Sequence, residues 1–280
     1  MYVVSKVVLE VIPPFTLLNI RLLLGIVCLG SIVFFKRGFR ATRKHVGIIL
    51  FVGILGFGIS LGFQFTGTKL SSAANAALVT SASPVFILLF GALILHERVT
   101  SARLFALALA SIGVLIVVDP RAALYGGKAA IGNILLLGAA ITWGLYSVLI
   151  KKSSKDINII EVSTYAFIGG WLFSIPLMLM EMKSESIGTV TFPIFLGVLY
   201  LGIIATALAM YLWNKSLDIL EAGLVSLLFF AQPVVGVALG ALLLGEVLST
   251  GFWVGAALIG LGLLIAARSD SVPNDSAFVQ

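Results

Sequence analysis

The chain has 280 residues, of which 60% are apolar and 11% charged, and its mean hydropathy is +1.16. Soluble domains carry about 25% charged residues, and a chain this rich in Leu, Ile, Val and Phe buries too readily to stay disordered, so what is left is an integral membrane protein. The formal charge of +6 sits in short loops between apolar runs, where it reports orientation in a bilayer and not nucleic-acid binding. One cysteine, Cys28, and two histidines, His45 and His96, exclude an internal disulfide and leave too few ligands for zinc, so no cofactor is expected.

Residues 1–12 are apolar but too short to span, are interrupted by Lys6 and Glu10, and end in Pro13-Pro14. They lack a signal-peptide pattern and read as the last turns of a helix whose beginning lies upstream. Apolar runs follow at 15–35, 46–65, 73–95, 102–118, 130–150, 160–180, 192–213, 223–244 and 251–267. Each is long enough to cross a hydrocarbon core of about 30 Å as a helix. Barrel strands would alternate polar and apolar residues, and residues 85–95 do not. The expected fold is therefore all-α, with nine full transmembrane helices and a polar tail at 269–280.

A repeat appears at an offset of 149, laying residues 73–116 over 222–265 without a gap. Pro84 matches Pro233, Val85 matches Val234, Gly91 matches Gly240, Glu97 matches Glu246 and Gly113 matches Gly262. Shared Pro, Glu and Gly are harder to obtain from composition alone than shared Leu. Two units follow, residues 1–119 and 120–268. A five-span repeat has an odd count, so its copies cross the membrane in opposite directions. Alternating the loops from 36–44 puts about 12 Lys and Arg on one side and few on the other, the bias of cytoplasmic loops. The loop after Glu97 carries Arg98 and Arg103, whereas Val247 and Phe252 stand at the matching positions. Aligning Tyr2 with Tyr146 leaves residues 126–145 without a counterpart, which points to an upstream first helix or to a nine-helix protein.

Pro13-Pro14-Phe15 with Arg21, residues 68–73, Ser83-Pro84-Val85, Glu97, Trp143-Gly144, Gln232-Pro233-Val234 and Gly245-Glu246 with Gly260 and Gly262 together resemble the drug/metabolite transporter superfamily. Specifically, the chain is similar to ten-span permeases built from two EamA domains, with the first helix truncated. The resemblance implies an inner-membrane, multi-pass exporter of amino acids or related metabolites. It further implies a central site between the halves and a cytoplasmic carboxyl terminus. Drug or nucleoside export by the same fold, a membrane-embedded lipid enzyme and a non-transporting membrane partner are the alternatives. The histidines have no evident Ser/Asp partner, which argues against an enzyme.

Polar residues deep in spans are costly and become functional candidates. Gln64, Asn75, Thr80, Ser83, Trp143, Tyr146, Tyr211 and Gln232 are the expected substrate-binding set. An in-helix proline frees the carbonyl four residues earlier, so Pro84 and Pro233 mark helix kinks near the bilayer middle. Arg21 is read as structural, with its side chain reaching the surface or bonding helix carbonyls. Glu97 and Glu246 are read as carboxylates complementing the amino terminus of the helix that follows each. Small-residue spacings such as Gly236-x-x-x-Gly240 and Gly251-x-x-x-Gly255 suit close helix packing within the chain or in a homodimer. The expected partners are a small-molecule substrate and membrane lipid.

Overall fold

A computed structural model describes the chain apart from residues 37, 72, 118–127, 156, 232–233, 236–249 and 271–280. Every regular element among the described residues is helical. In chain order these are α1 (Tyr2–Leu9), α2 (Pro14–Lys36), α3 (Arg43–Gly53), α4 (Leu61–Leu70), α5 (Ala73–Thr80), α6 (Ser83–Leu95), α7 (Ser101–Val117), α8 (Lys128–Ser153), α9 (Ile159–Glu181), α10 (Phe192–Leu199), α11 (Ala209–Ile219), α12 (Ala222–Leu227) and α13 (Thr250–Asp270). Wider π-helical turns join α3 to α4 (Ile54–Ser60) and α10 to α11 (Tyr200–Leu208). Among the described residues, five continuous helices are long and apolar enough to cross a membrane: Pro14–Lys36, Arg43–Leu70, Lys128–Ser153, Ile159–Glu181 and Phe192–Ile219.

The lengths of these crossings repeat. Pro14–Lys36 and Ile159–Glu181 each have 23 residues, and Arg43–Leu70 and Phe192–Ile219 each have 28. The π-helical turns interrupt the second pair at matching depths, a feature that no apolar periodicity in the sequence reveals. Counterpart helices pack against one another in antiparallel fashion. Between α2 and α9, Thr16 meets Glu181, Asn19 donates to Ser174 Oγ at 2.8 Å, and Gly25 faces Phe167. Between α7 and α13, Gly113 faces Gly255 while Gly262 faces Ala106. Antiparallel packing of counterparts is the geometry of an inverted repeat.

Glycines set the closest approaches. A Cβ on Gly53 would lie 2.1 Å from the Ala166 carbonyl oxygen, and one on Gly169 would lie 2.1 Å from that of Leu50. The crossing of α3 and α9 is thus backbone on backbone, with dispersion and not hydrophobic exclusion holding the helices together in lipid.

The helix expected at 73–95 is broken. It ends at Thr80, turns through Ser81-Ala82 and restarts at Ser83 with Pro84 in the first turn. Proline is favoured there because its missing N–H would lack a helical partner in any case. The carbonyl of Thr80, which Pro84 would leave free, accepts from Ser83 Oγ at 2.7 Å. Ser83 therefore serves the break in this structure. Pro233, Gln232 and Glu246 lie outside the described residues, as does the side chain of Asn75.

Helix termini are satisfied by side chains from distant segments, and these contacts sort the loops into two groups. At one end, Lys6 Nζ donates to the carbonyls of Thr68, Lys69 and Ser71 at 3.1, 3.0 and 2.7 Å, closing the carboxyl end of α4. The Glu181 carboxylate accepts the amides of Phe15 and Thr16 there, and Lys69 pairs with Glu185. At the other end, Glu97 accepts the amides of Ala222 and Gly223 at 2.9 and 3.1 Å and pairs with Lys151 at 3.2 Å. Glu97 therefore complements the amino terminus of α12. That corrects the expectation that it serves the helix following it in sequence, where Thr100 accepts the Arg103 amide instead. Proximity along the chain suggested α7; the approach of α6 to α12 selected the other partner.

Candidate functional site

Near the Lys6 end, Gln64, Thr80 and Tyr2 form one hydrogen-bonded chain. Gln64 Nε2 donates to Tyr2 Oη at 2.8 Å, and Tyr2 Oη lies 2.6 Å from Thr80 Oγ1. Because the Thr80 hydroxyl donates to the Ala76 carbonyl at 2.6 Å, the tyrosine proton points to Thr80 and the whole chain runs one way. Such serial bonds reinforce one another in a low dielectric. The helices supply this alignment: α4 presents Gln64, α5 presents Thr80 at its last residue, and α1 lays Tyr2 between them.

Near the Glu97 end, Trp143 and Tyr146 on α8 join an aromatic cluster. Trp143 lies 5.0 Å from Tyr146, 6.0 Å from Trp213 and 6.4 Å from Phe229, and Trp213 meets Phe229 edge to face at 4.9 Å. Phe57, in the first π-helical turn, packs on Trp143, Tyr146 and Phe167. Polar contacts tie the edges together. Tyr146 Oη donates to Asn214 Oδ1 at 2.9 Å, Asn214 Nδ2 to Ser163 Oγ at 3.0 Å, and Trp213 Nε1 to Ser147 Oγ at 3.3 Å. Among the described residues, the buried indole N–H of Trp143 has no hydrogen-bond partner. Tyr211 packs partly buried against this core.

The two clusters are counterparts. Tyr2 aligns with Tyr146, and the offset of 149 takes Gln64 to Trp213 and Thr80 to Phe229. Gln64 and Trp213 each stand six residues before the end of their 28-residue crossings. The first half thus joins these positions by hydrogen bonds and the second by aromatic rings. Gln64, Thr80, Trp143 and Tyr146 were legible as polar or amphipathic residues deep in spans. Tyr2, Phe57, Ser163, Trp213, Asn214 and Phe229 were not, although mapping the first cluster through the repeat offset marks Trp213 and Phe229.

Arg21 does not reach the surface. Its Nε donates to Thr206 Oγ1 at 2.7 Å, its Nη2 approaches the Ala205 carbonyl at 3.4 Å, and its guanidinium lies 4.9 Å over the ring of Phe65. A separate cavity of about 580 Å³ is lined by Lys36, Arg40, His45, Asn158 and Glu161 and shares no residue with either cluster. Among the described residues, no three His, Cys, Asp or Glu side chains are grouped to hold a metal ion.

Residues 1–119 and 130–268 both match the EamA-like transporter family. The chain belongs to this family. It is 28% identical to an uncharacterised transporter, YetK, of Bacillus subtilis over 97% of this chain and 84% of that one. It is 33% identical to a Salmonella typhimurium protein named "Probable amino-acid metabolite efflux pump", and 30% identical to an Escherichia coli protein of the same name, in each case over 94% of this chain and 89% of the relative. A crystal structure of a protein with 22% identity superposes with a TM-score of 0.80 over 96% of this chain and 93% of that one, so the two share a fold. This EamA-like transporter is accordingly a multi-pass membrane protein, and its relatives carry the names of transporters and not of enzymes.

Proposed function

We propose that this EamA-like transporter exports amino acids or related small metabolites across the plasma membrane by alternating access between its two inverted halves. The observation that carries the mechanism is the counterpart pair of clusters at opposite ends of the repeat. Parting the Tyr2–Gln64–Thr80 chain opens one end, and separating Trp213 and Phe229 from Trp143 opens the other. Inverted halves that exchange conformations exchange which end is open. The names of the two efflux-pump relatives support the substrate class, and it suits a lining of aromatic rings and neutral polar groups. The loops holding Lys36, Arg40, Arg98, Lys151 and Lys152 face the cytoplasm in this reading, as does the carboxyl terminus.

The acids tied down in the fold, Glu97, Glu161 and Glu181, cap helices or loop amides near the ends of spans. Transport in this reading draws on the substrate's own gradient and not on proton coupling. A severalfold rise in flux with an imposed pH gradient at constant voltage would count against it.

Counterflow in proteoliposomes, with each amino acid offered in turn, tests the assignment. Exchange of at least one amino acid is expected, and Trp143→Phe, which keeps an aromatic ring but removes the indole N–H and part of the packing, is expected to slow it in a protein that still folds, with a lowered thermal midpoint. Exchange of nucleosides or cationic drugs alone would overturn the substrate class. A folded protein that exchanges no solute would overturn transport.

A further inference from the structure

Arg21 lies seven residues into α2, about 10 Å from its start by the helical rise, and its side chain is 0% exposed. An ionised group this deep in a span is expensive and ordinarily finds an opposite charge. None of the described ion pairs includes Arg21. Glu181, at the start of α2, commits its carboxylate to the Phe15 and Thr16 amides and the Thr16 hydroxyl. The partners Arg21 does have are neutral: the Thr206 hydroxyl, the Ala205 carbonyl and the face of Phe65. One arm of the fork, Nη1, is buried with no hydrogen-bond partner among the described residues.

Its position is as informative as its charge. Phe65 follows Gln64 of the hydrogen-bonded cluster. Thr206 lies in the second π-helical turn, at the offset of 149 from Phe57 of the aromatic cluster. One turn deeper in α2, a Cβ on Gly25 would touch both Phe167 and Thr206 at 3.0–3.1 Å. Arg21 therefore packs against Phe65 and a π-helical turn, an element that recurs at functional sites, one helical turn from Phe167, which itself packs on Phe57 of the aromatic cluster. A helix tie alone needs no net charge. A guanidinium that, among the described residues, retains a free N–H and has no counter-ion is built to receive an anion by the planar, two-point geometry that carboxylates match.

We infer that Arg21 is the carboxylate-binding group of the transport site, with Nη1 and Nη2 holding the acid of the solute while the aromatic cluster takes its apolar part. This rests on the amino-acid reading above and narrows it to solutes that keep a free carboxylate.

The test compares two probes of nearly the same shape, phenylacetate and 2-phenylethylamine, on the thermal unfolding of the purified full chain in detergent at fixed ionic strength. Phenylacetate is expected to raise the unfolding midpoint saturably in the unmodified protein, and 2-phenylethylamine is expected not to. Arg21→Gln is expected to abolish the phenylacetate effect. Arg21→Lys, which keeps the charge but loses the fork, is expected to need on the order of tenfold more phenylacetate. Absence of protection by phenylacetate, equal protection by both probes, or an unchanged response in Arg21→Gln would overturn the inference. If Arg21→Gln does not fold, an unchanged half-saturating concentration in Arg21→Lys would do so. Phenylacetate protection without amino-acid counterflow would leave the anion site standing and remove the amino-acid reading; counterflow that ignores Arg21 would do the reverse.

Discussion

Asn214 joins three crossings through one side chain, accepting from Tyr146 on α8 and donating to Ser163 on α9, at 2.9 and 3.0 Å. Asn214→Leu keeps the branched skeleton but deletes both bonds and leaves the Tyr146 hydroxyl buried and unpaired. Interhelical hydrogen bonds in membranes contribute about 0.6 kcal/mol on average and at most about 1.7, so the two together predict a loss of about 1–3 kcal/mol. Tyr146→Phe removes only the first bond, for about 0.6–1.7 kcal/mol. The double variant should then be less destabilised than the sum of the singles, with a coupling of about 0.6–1.7 kcal/mol attributable to the shared bond. Reversible unfolding in mixed detergent micelles, followed by tryptophan fluorescence, measures all four proteins. A coupling below about 0.3 kcal/mol, the scatter of independent sites, would refute the claim that Tyr146 and Asn214 act as a bonded pair.

Gly53→Ala and Gly169→Ala each drive a Cβ to 2.1 Å from a backbone carbonyl oxygen. Both should therefore lower stability by more than the usual overpacking cost of about 1–3 kcal/mol, whereas Gly47→Ala and Gly260→Ala, which meet open space, should not. Comparing thermal midpoints of the four variants checks this. The sorting of loops into two groups predicts opposite labelling of cysteines in a Cys28→Ser background. Ser186→Cys should react with a membrane-impermeant maleimide in intact cells, and Lys155→Cys only after permeabilisation. The reverse pattern would invert the assigned orientation, and labelling of both from one side would refute the sorting itself.

Much of the architecture was legible because its causes are local. Apolar runs the length of a bilayer can only be helices, since lipid offers their backbone no other hydrogen-bond partners. The repeat is legible because Pro84 and Pro233, and likewise Glu97 and Glu246, recur at one offset and are residue types that apolar composition does not supply by chance. Part of the candidate site was legible as well, because Gln64, Thr80, Trp143 and Tyr146 are conspicuous in apolar surroundings.

What the sequence by itself determined, then, is a helical membrane protein of two inverted halves and the polar residues that stand out within its spans. Tertiary structure alone decided which of those residues meet. Glu97 serves α12 and not α7 because α6 and α12 end side by side, a contact between residues more than a hundred positions apart. The π-helical turns that seat Phe57 and Thr206 leave no mark in hydropathy, since they widen the helix without changing its apolar character. Arg21 is a single charge in a span when read along the chain. Only the packing of α2 between Phe65 and Thr206 makes it a buried guanidinium with one arm unclaimed among the described residues.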